Sequence, residues 1–247
     1  MADPRHVLHE MHYVLIPGAW MGAWVWAEVA ETLRREGHQA HAITLSGLDG
    51  SDDDPARVRL ATHVQDVLSY LRAHAVEDVV LVGHSYSGVV VGQVAAQAPE
   101  RVAHTVYVEA FLPVDGRSLL DVSGLDVEHE RRLIAENGGL WPPPSREELS
   151  QQPFLDADLI QRLASRLVGH PGHTVTDAAS VPRPLESLPS TFIAGKDWLS
   201  FSREQDLLKS LRRSPRWTFR SIEGGHWPML TVPETLASLL LEIPLER

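Results

Sequence analysis

Short apolar runs alternate with amphipathic segments along most of the chain. Continuous apolar runs bounded by turn residues predict buried strands at 12–17, 39–45, 78–83, 102–113, 190–195 and 216–223. Between them, apolar residues recur at helical spacing, which predicts helices at 26–37, 62–74, 88–99, 202–213 and 232–243, with Thr62 as the N-cap of the second. Strands that alternate with helices are typical of a parallel sheet covered on both faces. We therefore predict an α/β fold.

The alternation stops over about residues 114–184. This segment contains two helical patterns and the proline-rich stretch WPPPS at 141–145, but few strand signals. Such a segment is typical of a helical insertion rather than of a second layered domain. We predict one domain over residues 1–247, with a helical cap inserted at about 114–184.

Composition and charge exclude several classes of function. The chain is 43% hydrophobic and 22% charged, as ordinary globular proteins are, and its net charge of -11 argues against nucleic acid as a partner. It has no cysteine, which excludes disulfides, thiolate metal sites and a cysteine nucleophile. No apolar run reaches membrane-spanning length, so no membrane partner is expected. The first twelve residues lack the pattern of a signal peptide, so a cytoplasmic location is expected.

The sequence GHSYSG, residues 83–88, places a serine where a buried strand gives way to a helix. Gly83 and Ser87, two residues before and two after Ser85, are small enough for the strand and the helix to pack closely. This context is that of a nucleophile elbow. A serine hydroxyl becomes an effective nucleophile only with a base to take its proton and N–H donors to stabilise the oxyanion. Ser85 therefore requires partners elsewhere in the chain.

His226 is the candidate base, because it lies in a glycine-rich loop between the last predicted strand and the last helix. The order serine, acid, histidine is the one that this topology requires. Two carboxylates compete for the role of acid: Asp197 follows the strand at 190–195, and Glu109 lies on the strand at 102–113. Either could orient the imidazole. We favour Asp197 and retain Glu109 as the alternative acid.

The oxyanion donors and the pocket are predicted from the loops around the elbow. The N–H of Tyr86 and the N–H of Ala19, in the loop after the first strand, form the natural pair of donors. Four aromatic residues are expected to contact the substrate: Trp20, Trp141, Phe154 and Trp227. Their character indicates an apolar or aromatic substrate.

Several segments together resemble the α/β-hydrolase superfamily: HYVLIPGAWMGAWVWAEVAETLRREGH, THVQDV, DVVLVGHSYSGVVV, VYVEAFLPVDGRSLLD and GGHWPMLTVPETLASLL. More narrowly, they resemble its esterase and hydroxynitrile-lyase-like branch, which includes plant methylesterases and bacterial salicylate-esterase-like hydrolases. The resemblance implies a mostly parallel central sheet with helices on both faces and an inserted helical cap. It also implies catalysis without cofactor or metal ion, by nucleophile Ser85, base His226, acid Asp197 and oxyanion donors Ala19 and Tyr86.

Departures from the family pattern narrow the chemistry. Hydroxynitrile lyases of this branch carry a lysine after the catalytic histidine and a threonine in the first loop, where this chain has Trp227 and Gly18. That difference argues against cyanohydrin cleavage. Ser85 in place of an acidic nucleophile argues against epoxide hydrolases and haloalkane dehalogenases. Pro17 replaces the family's histidine beside the oxyanion loop.

The sequence therefore predicts a serine carboxylesterase-type hydrolase. It would cleave a carboxylic ester, or a related lactone, thioester or carbamate, of a small apolar or aromatic molecule through an acyl-enzyme. Two alternatives remain open: the same triad used for biosynthetic acyl transfer, cyclisation or C–C cleavage, and a ligand-binding protein on the same fold. The expected partner is a small-molecule substrate, and a homodimer is a further alternative to a monomer.

Overall fold

The computed structural model describes residues 10–50, 54–201 and 205–243. Nine of the twelve residues behind the prediction about location, residues 1–9, lie outside this range, as do the first three of the helix predicted at 202–213. Eight strands form within the described residues. They are β1 (His12–Ile16), β2 (Gln39–Ala42), β3 (Val79–His84), β4 (Val102–Val108), β5 (Leu140–Trp141), β6 (His170–Pro171), β7 (Ser190–Ala194) and β8 (Trp217–Ser221).

Twelve α-helices lie between and after these strands within the described residues. They are α1 (Ala27–Arg35), α2 (Leu60–Ala73), α3 (Ser87–Gln97), α4 (Leu119–Ser123), α5 (Val127–Glu136), α6 (Arg146–Ser150), α7 (Ala157–Arg166), α8 (His173–Thr176), α9 (Lys196–Phe201), α10 (Gln205–Leu211), α11 (Pro228–Thr231) and α12 (Pro233–Leu241). Three short 3₁₀ helices span Ala23–Trp26, Pro55–Arg57 and Leu185–Ser187.

Six of the strands form one parallel sheet in the order β2-β1-β3-β4-β7-β8. All six residues of β3 are buried, as expected for a central strand whose two faces are both covered. Alternate residues of β1 belong to different cores: Val14 packs with α2 and α3, whereas Leu15 packs with α1 and α12. The predicted fold class, an α/β-hydrolase fold with a parallel central sheet, is confirmed.

Local predictions were wrong where side-chain chemistry or backbone geometry overrode the pattern. Helix α2 begins at Leu60 rather than at Thr62; the Thr62 hydroxyl lies one turn inside, where it accepts the Arg59 N–H at 3.0 Å. The strand predicted at 102–113 ends at Val108, because Glu109 adopts a φ of 46° that an extended strand does not allow.

The segment at 114–184 contributes α4 to α8 and no strand of the central sheet. Its two short strands, β5 and β6, pair with each other in an antiparallel ladder that the sequence did not predict. A two-residue ladder has too few positions for an alternating pattern, so it leaves no signal of periodicity. The ladder nevertheless joins residues that are distant in the sequence, Leu140 with Pro171 and Trp141 with His170.

His104 on β4 makes the stability of the fold dependent on pH. It is buried, with Nε2 at 2.9 Å from the Thr191 hydroxyl, and burial lowers its pKa from 6.5 to about 4. Between these values the unfolded chain binds a proton that the folded chain does not. The contribution of His104 to the free energy of unfolding should therefore fall by about 1.4 kcal/mol per pH unit as the pH drops through this window. Urea denaturation at a series of pH values measures it.

The matched variant is His104→Gln, which keeps a polar group for Thr191 but cannot titrate. This variant should show a shallower dependence of the free energy of unfolding on pH, because the His104 contribution is gone. Some dependence should remain, since burial also lowers the pKa values of His63, His84 and His170. A slope unchanged from the wild type in the His104→Gln variant would contradict the assignment.

Candidate active site

Ser85 lies at the turn between β3 and α3 in a strained conformation. Its φ is 52°, in the left-handed region that residues other than glycine rarely adopt. Its N–H donates to the Val108 carbonyl at 3.1 Å, and its own carbonyl accepts the N–H groups of Gly88 and Phe111, each at 3.1 Å. Because three backbone bonds fix this residue, the strain is held by the ends of β3, β4 and α3.

Small side chains allow the turn to form. A Cβ added at Gly83 would lie 2.7 Å from the Ser87 carbonyl oxygen and 2.6 Å from a methyl group of Val91, so only glycine fits there. The Ser87 hydroxyl donates to the carbonyl of Pro17, which ties the start of α3 to the loop after β1. The serine that replaces the usual second glycine of the elbow therefore has a bonding role.

His226 lies in the loop between β8 and α11, and its Nε2 is 3.0 Å from the Ser85 hydroxyl oxygen. The loop packs closely: a Cβ added at Gly225, where φ is 67°, would lie 2.9 Å from the Pro153 carbonyl. The imidazole stacks on the Trp198 ring, with centroids 4.9 Å apart and planes 18° from parallel. The side chain that the sequence proposed as base is thus held against the hydroxyl.

Of the two candidate acids, Glu109 faces the imidazole. Its carboxylate is buried, with Oε2 at 3.7 Å from His226 Nδ1, and its Oε1 accepts the N–H of Gly195. This separation suits an ion pair with a protonated imidazole, although it is too long for a hydrogen bond. Asp197 instead lies in the first turn of α9, where it is exposed to solvent. The geometry favours Glu109, which the sequence analysis ranked second.

The two candidate oxyanion donors line the same cavity as Ser85. Tyr86 is the N-cap of α3, and Ala19 lies in the loop after β1. In the described part of the chain, neither backbone N–H donates to another protein group. Both are therefore free to bind an oxygen atom in the cavity, and the positive end of α3 favours a negative charge there.

His84, next to Ser85, supports the loop that carries His226. It is fully buried, and its Nε2 donates to the His226 backbone carbonyl at 2.6 Å. Burial is the main cause that lowers the pKa of His84 well below its usual value, and the nearby His226 lowers it further, so the side chain is neutral. The sequence showed His84 beside the serine but gave no sign of this partner, which lies 142 positions away.

The cavity next to Ser85 has a volume of about 510 Å³ and aromatic walls. Trp20 and Trp141, both predicted from the sequence, form one wall, with ring centroids 4.4 Å apart. Phe111 and Trp198, which the sequence analysis missed, form another with centroids 4.9 Å apart. The only local signal for these two residues is that each follows a strand of the sheet by a few positions. Such walls suit a flat apolar group.

A second, outer cavity of about 1070 Å³ adjoins the first at Trp20, Trp198 and His226. The other two predicted substrate contacts, Phe154 and Trp227, line this outer space and not the inner one. Phe154 is 60% exposed, and no other large apolar side chain among the described residues is exposed. These two predicted contacts therefore lie outside the cavity that Ser85 lines.

Two features are absent from the residues that the structure describes. No group of three or more histidine, cysteine, aspartate or glutamate side chains among them is arranged to hold a metal ion. Likewise, none of their helices is both long enough and apolar enough to cross a membrane.

Several curated proteins that this chain resembles are named esterases. Methyl jasmonate esterase 1 from Vitis vinifera is 33% identical over 264 residues, which cover 95% of this chain and 97% of that protein. The carbendazim hydrolyzing esterase from Nocardioides sp. is 38% identical over 110 residues, 44% of this chain and 46% of that protein. The chain spans about half the length of the first curated relatives it matches, at 46%, 56% and 47%.

Solved structures share the fold. An extracellular alpha/beta-hydrolase from a Paenibacillus species, described as homologous in structure and function to tobacco salicylic acid binding protein 2, superposes with a TM-score of 0.82. It is 21% identical, and the match covers 96% of this chain and 100% of that one. That match shows the fold alone; the esterase and methylesterase names of the curated relatives confirm the predicted esterase branch. A model of the alpha/beta hydrolase family matches residues 13–239, and the chain belongs to that family.

Proposed function

We propose that this protein is a serine hydrolase that cleaves a carboxylic ester, or a related lactone, thioester or carbamate, of a small apolar or aromatic molecule. The observation that carries the proposal is the 3.0 Å separation between His226 Nε2 and the hydroxyl oxygen of Ser85, at a strained turn. At this distance the imidazole can take the hydroxyl proton as the oxygen attacks. The esterase names of the relatives support the same class of reaction.

In the first half-reaction, Ser85 Oγ bonds to the carbonyl carbon while its proton passes to His226 Nε2. The carbonyl electron pair moves onto its oxygen, and the N–H groups of Ala19 and Tyr86 stabilise that oxyanion. When the intermediate collapses, the bond to the alcohol oxygen breaks and the alcohol takes the proton from His226. An acyl-enzyme on Ser85 remains.

In the second half-reaction, water replaces the alcohol. His226 takes a proton from water as its oxygen bonds to the acyl carbon, and the same donors hold the second oxyanion. Collapse breaks the bond to Ser85 Oγ, which recovers its proton from His226, and the carboxylic acid leaves. The reaction needs no metal ion or cofactor, because proton transfer and charge stabilisation come from protein groups.

We propose Glu109 as the acid of the triad, in place of Asp197. The protonated imidazole formed in each half-reaction needs a nearby negative charge, and Glu109 Oε2 lies 3.7 Å from His226 Nδ1. Burial makes this charge effective, because water screens it little. The distance is expected to shorten when substrate fills the cavity, as catalytic hydrogen bonds often do.

The segment at 114–184 is proposed to act as a cap that selects the substrate. It supplies Trp141, Leu119 and Leu133 to the inner cavity, opposite the residues of the sheet edge. Trp141 is fixed by its own bonds, since its indole N–H donates to Glu130 at 2.6 Å and its carbonyl accepts the indole N–H of Trp20. A planar acyl or alcohol group would lie against this fixed wall.

A fluorophosphonate probe tests the proposal, because it phosphonylates an activated serine. The wild type should be labelled on the peptide that contains Ser85, as mapped by mass spectrometry, and should hydrolyse members of a p-nitrophenyl ester panel. Ser85→Ala should lose both the label and the turnover, because the alanine has no oxygen to attack phosphorus or carbon.

The matched control is Ser165→Ala, which removes an exposed hydroxyl on α7 that donates to the Arg162 carbonyl. This variant should be labelled like the wild type. A label that persists in Ser85→Ala would contradict the proposal. An unlabelled wild type that binds a small ligand tightly would favour a binding protein on the same fold.

A further inference from the structure

The backbone of Trp20, the residue after the proposed donor Ala19, is strained and held from outside its own loop. Its φ is 65°, which a bulky residue adopts only where surrounding contacts impose it. All of its hydrogen-bonding groups bond to the segment at 114–184. The partners are His170 Nδ1 for the backbone N–H at 3.2 Å, the Val168 N–H for the carbonyl at 3.0 Å, and the Trp141 carbonyl for the indole N–H at 3.0 Å.

The hydrogen bonds of His170 define its tautomer. Because Nδ1 accepts the Trp20 N–H, the ring proton is on Nε2, which donates to the Thr174 hydroxyl at 2.8 Å. That hydroxyl donates in turn to the Pro171 carbonyl at 2.7 Å. The side chain of His170 is fully buried, and burial, with the nearby His63, lowers its pKa well below the usual value. A neutral imidazole of one tautomer therefore lies directly behind the oxyanion loop.

His170 also packs against the second proposed donor. Its ring meets the Tyr86 ring edge to face, with centroids 4.5 Å apart. The Tyr86 hydroxyl donates to His63 Nδ1 at 2.8 Å, and His63 Nε2 donates to the Ser46 carbonyl at 2.8 Å. The ring of Tyr86, which contributes the N–H at the start of α3, thus packs on the same imidazole that binds the Trp20 N–H, while His63 holds its hydroxyl.

We propose that His170 is a positioning residue for the oxyanion hole. By accepting the Trp20 N–H it fixes the peptide plane between Ala19 and Trp20, removes that N–H from the cavity and leaves the Ala19 N–H directed to the substrate oxygen. The inference rests on the proposed function, since it assigns a role within that reaction. It also makes catalysis depend on the seating of the segment at 114–184, because β6 carries the imidazole.

Three substitutions separate the two nitrogens of His170. His170→Asn keeps an acceptor at the position of Nδ1, His170→Gln keeps a polar group only near Nε2, and His170→Phe keeps neither. His170→Phe and His170→Gln should lose about 10²-fold in kcat/KM with a p-nitrophenyl ester, the scale of a lost oxyanion donor. His170→Asn should recover most of that loss.

Two ketones report on the oxyanion hole itself. The Ser85 hydroxyl oxygen adds to the carbonyl carbon of phenethyl trifluoromethyl ketone, and the resulting oxyanion occupies the oxyanion hole. Phenethyl methyl ketone instead binds as a neutral carbonyl compound. In His170→Phe and His170→Gln, the inhibition constant of the trifluoromethyl ketone should rise in parallel with the loss of kcat/KM. The constant of the methyl ketone should stay near that of the wild type, which general damage to the pocket would not allow.

His104→Phe is the matched control, because it removes a buried histidine of β4 that does not line either cavity. It should leave the ratio of the two inhibition constants unchanged. Should His170→Phe fail to fold, the comparison of His170→Asn with His170→Gln gives the same test, with both checked by thermal melting.

The inference is overturned if His170→Asn is no better than His170→Gln, or if both ketones weaken equally. It is also overturned if His170→Phe retains full turnover. These results differ from a failure of the proposed function. In that case the wild type itself has no turnover that Ser85→Ala abolishes, and the role of His170 in the reaction falls with it.

Discussion

The double variant Ser85→Ala with His226→Ala is expected to be no slower than either single variant. Each single substitution should lower kcat for the best p-nitrophenyl ester of the panel by about 10⁶-fold, because nucleophile and base act as one unit. Once either is gone, the other has no proton to give or take, and the oxyanion donors alone supply the residual rate. Steady-state kcat of the wild type and of the three variants measures this, with each variant preparation shown by fluorophosphonate titration to contain no wild-type enzyme.

The control for the histidine is His74→Ala, which removes an exposed imidazole at the end of α2 whose Nδ1 donates to the Tyr70 carbonyl of the same helix. Its kcat should match that of the wild type. If the two single losses multiplied in the double variant, the two side chains would contribute independently, and the 3.0 Å contact between them would have no part in the reaction. That result would contradict the triad.

The sequence predicts Ser85 and its surroundings well because the signals are local. A strand of valines, two small residues spaced around a serine and an apolar helix all occur within residues 79–97, and each reports on its own backbone. The sheet is equally predictable, because continuous apolar runs mark strands covered on both faces. His226 follows from chain order, which the topology dictates.

The choice between the two acids was not predictable in this way. Parallel strands end at the same edge of a sheet, so the sequence places both Glu109, after β4, and Asp197, after β7, at the edge where His226 is expected. Two features of Glu109 separate the candidates: its φ of 46°, and the burial of its carboxylate, which accepts the Gly195 N–H. Neither feature leaves a pattern in the sequence. A choice that depends on one dihedral angle cannot be made from residue types.

Contacts across the insertion were unpredictable for a different reason. His170 is 150 positions from Trp20, and the β5–β6 ladder that presents it is only two residues long. No periodic pattern relates such residues, and a buried histidine is not distinguished in the sequence from the exposed ones among the chain's thirteen. The residues that shape the oxyanion loop therefore emerge only from the packed structure.

Glu109→Gln is expected to lower kcat by about 10⁴-fold, the scale of a neutralised triad carboxylate. Glutamine keeps the size of the side chain and an oxygen for the Gly195 N–H. Its amide, however, can donate to His226 Nδ1, which shifts the ring proton to Nε2, where it blocks acceptance of the Ser85 proton. The protonated imidazole also loses its buried counter-charge. Steady-state kcat and KM for the same ester, with fluorophosphonate labelling rates, measure the effect.

Asp197→Asn is the matched comparison, since it makes the same chemical change at the exposed carboxylate of the outer cavity. Its kcat should remain close to that of the wild type, because an exposed carboxylate is strongly screened by water and stabilises an imidazolium little. Thermal melting of both variants separates a loss of catalysis from a loss of folding. The reverse order, with Asp197→Asn slow and Glu109→Gln active, would return the acid to Asp197. It would require that carboxylate to reach His226 Nδ1 through a rearranged start of α9 when substrate binds.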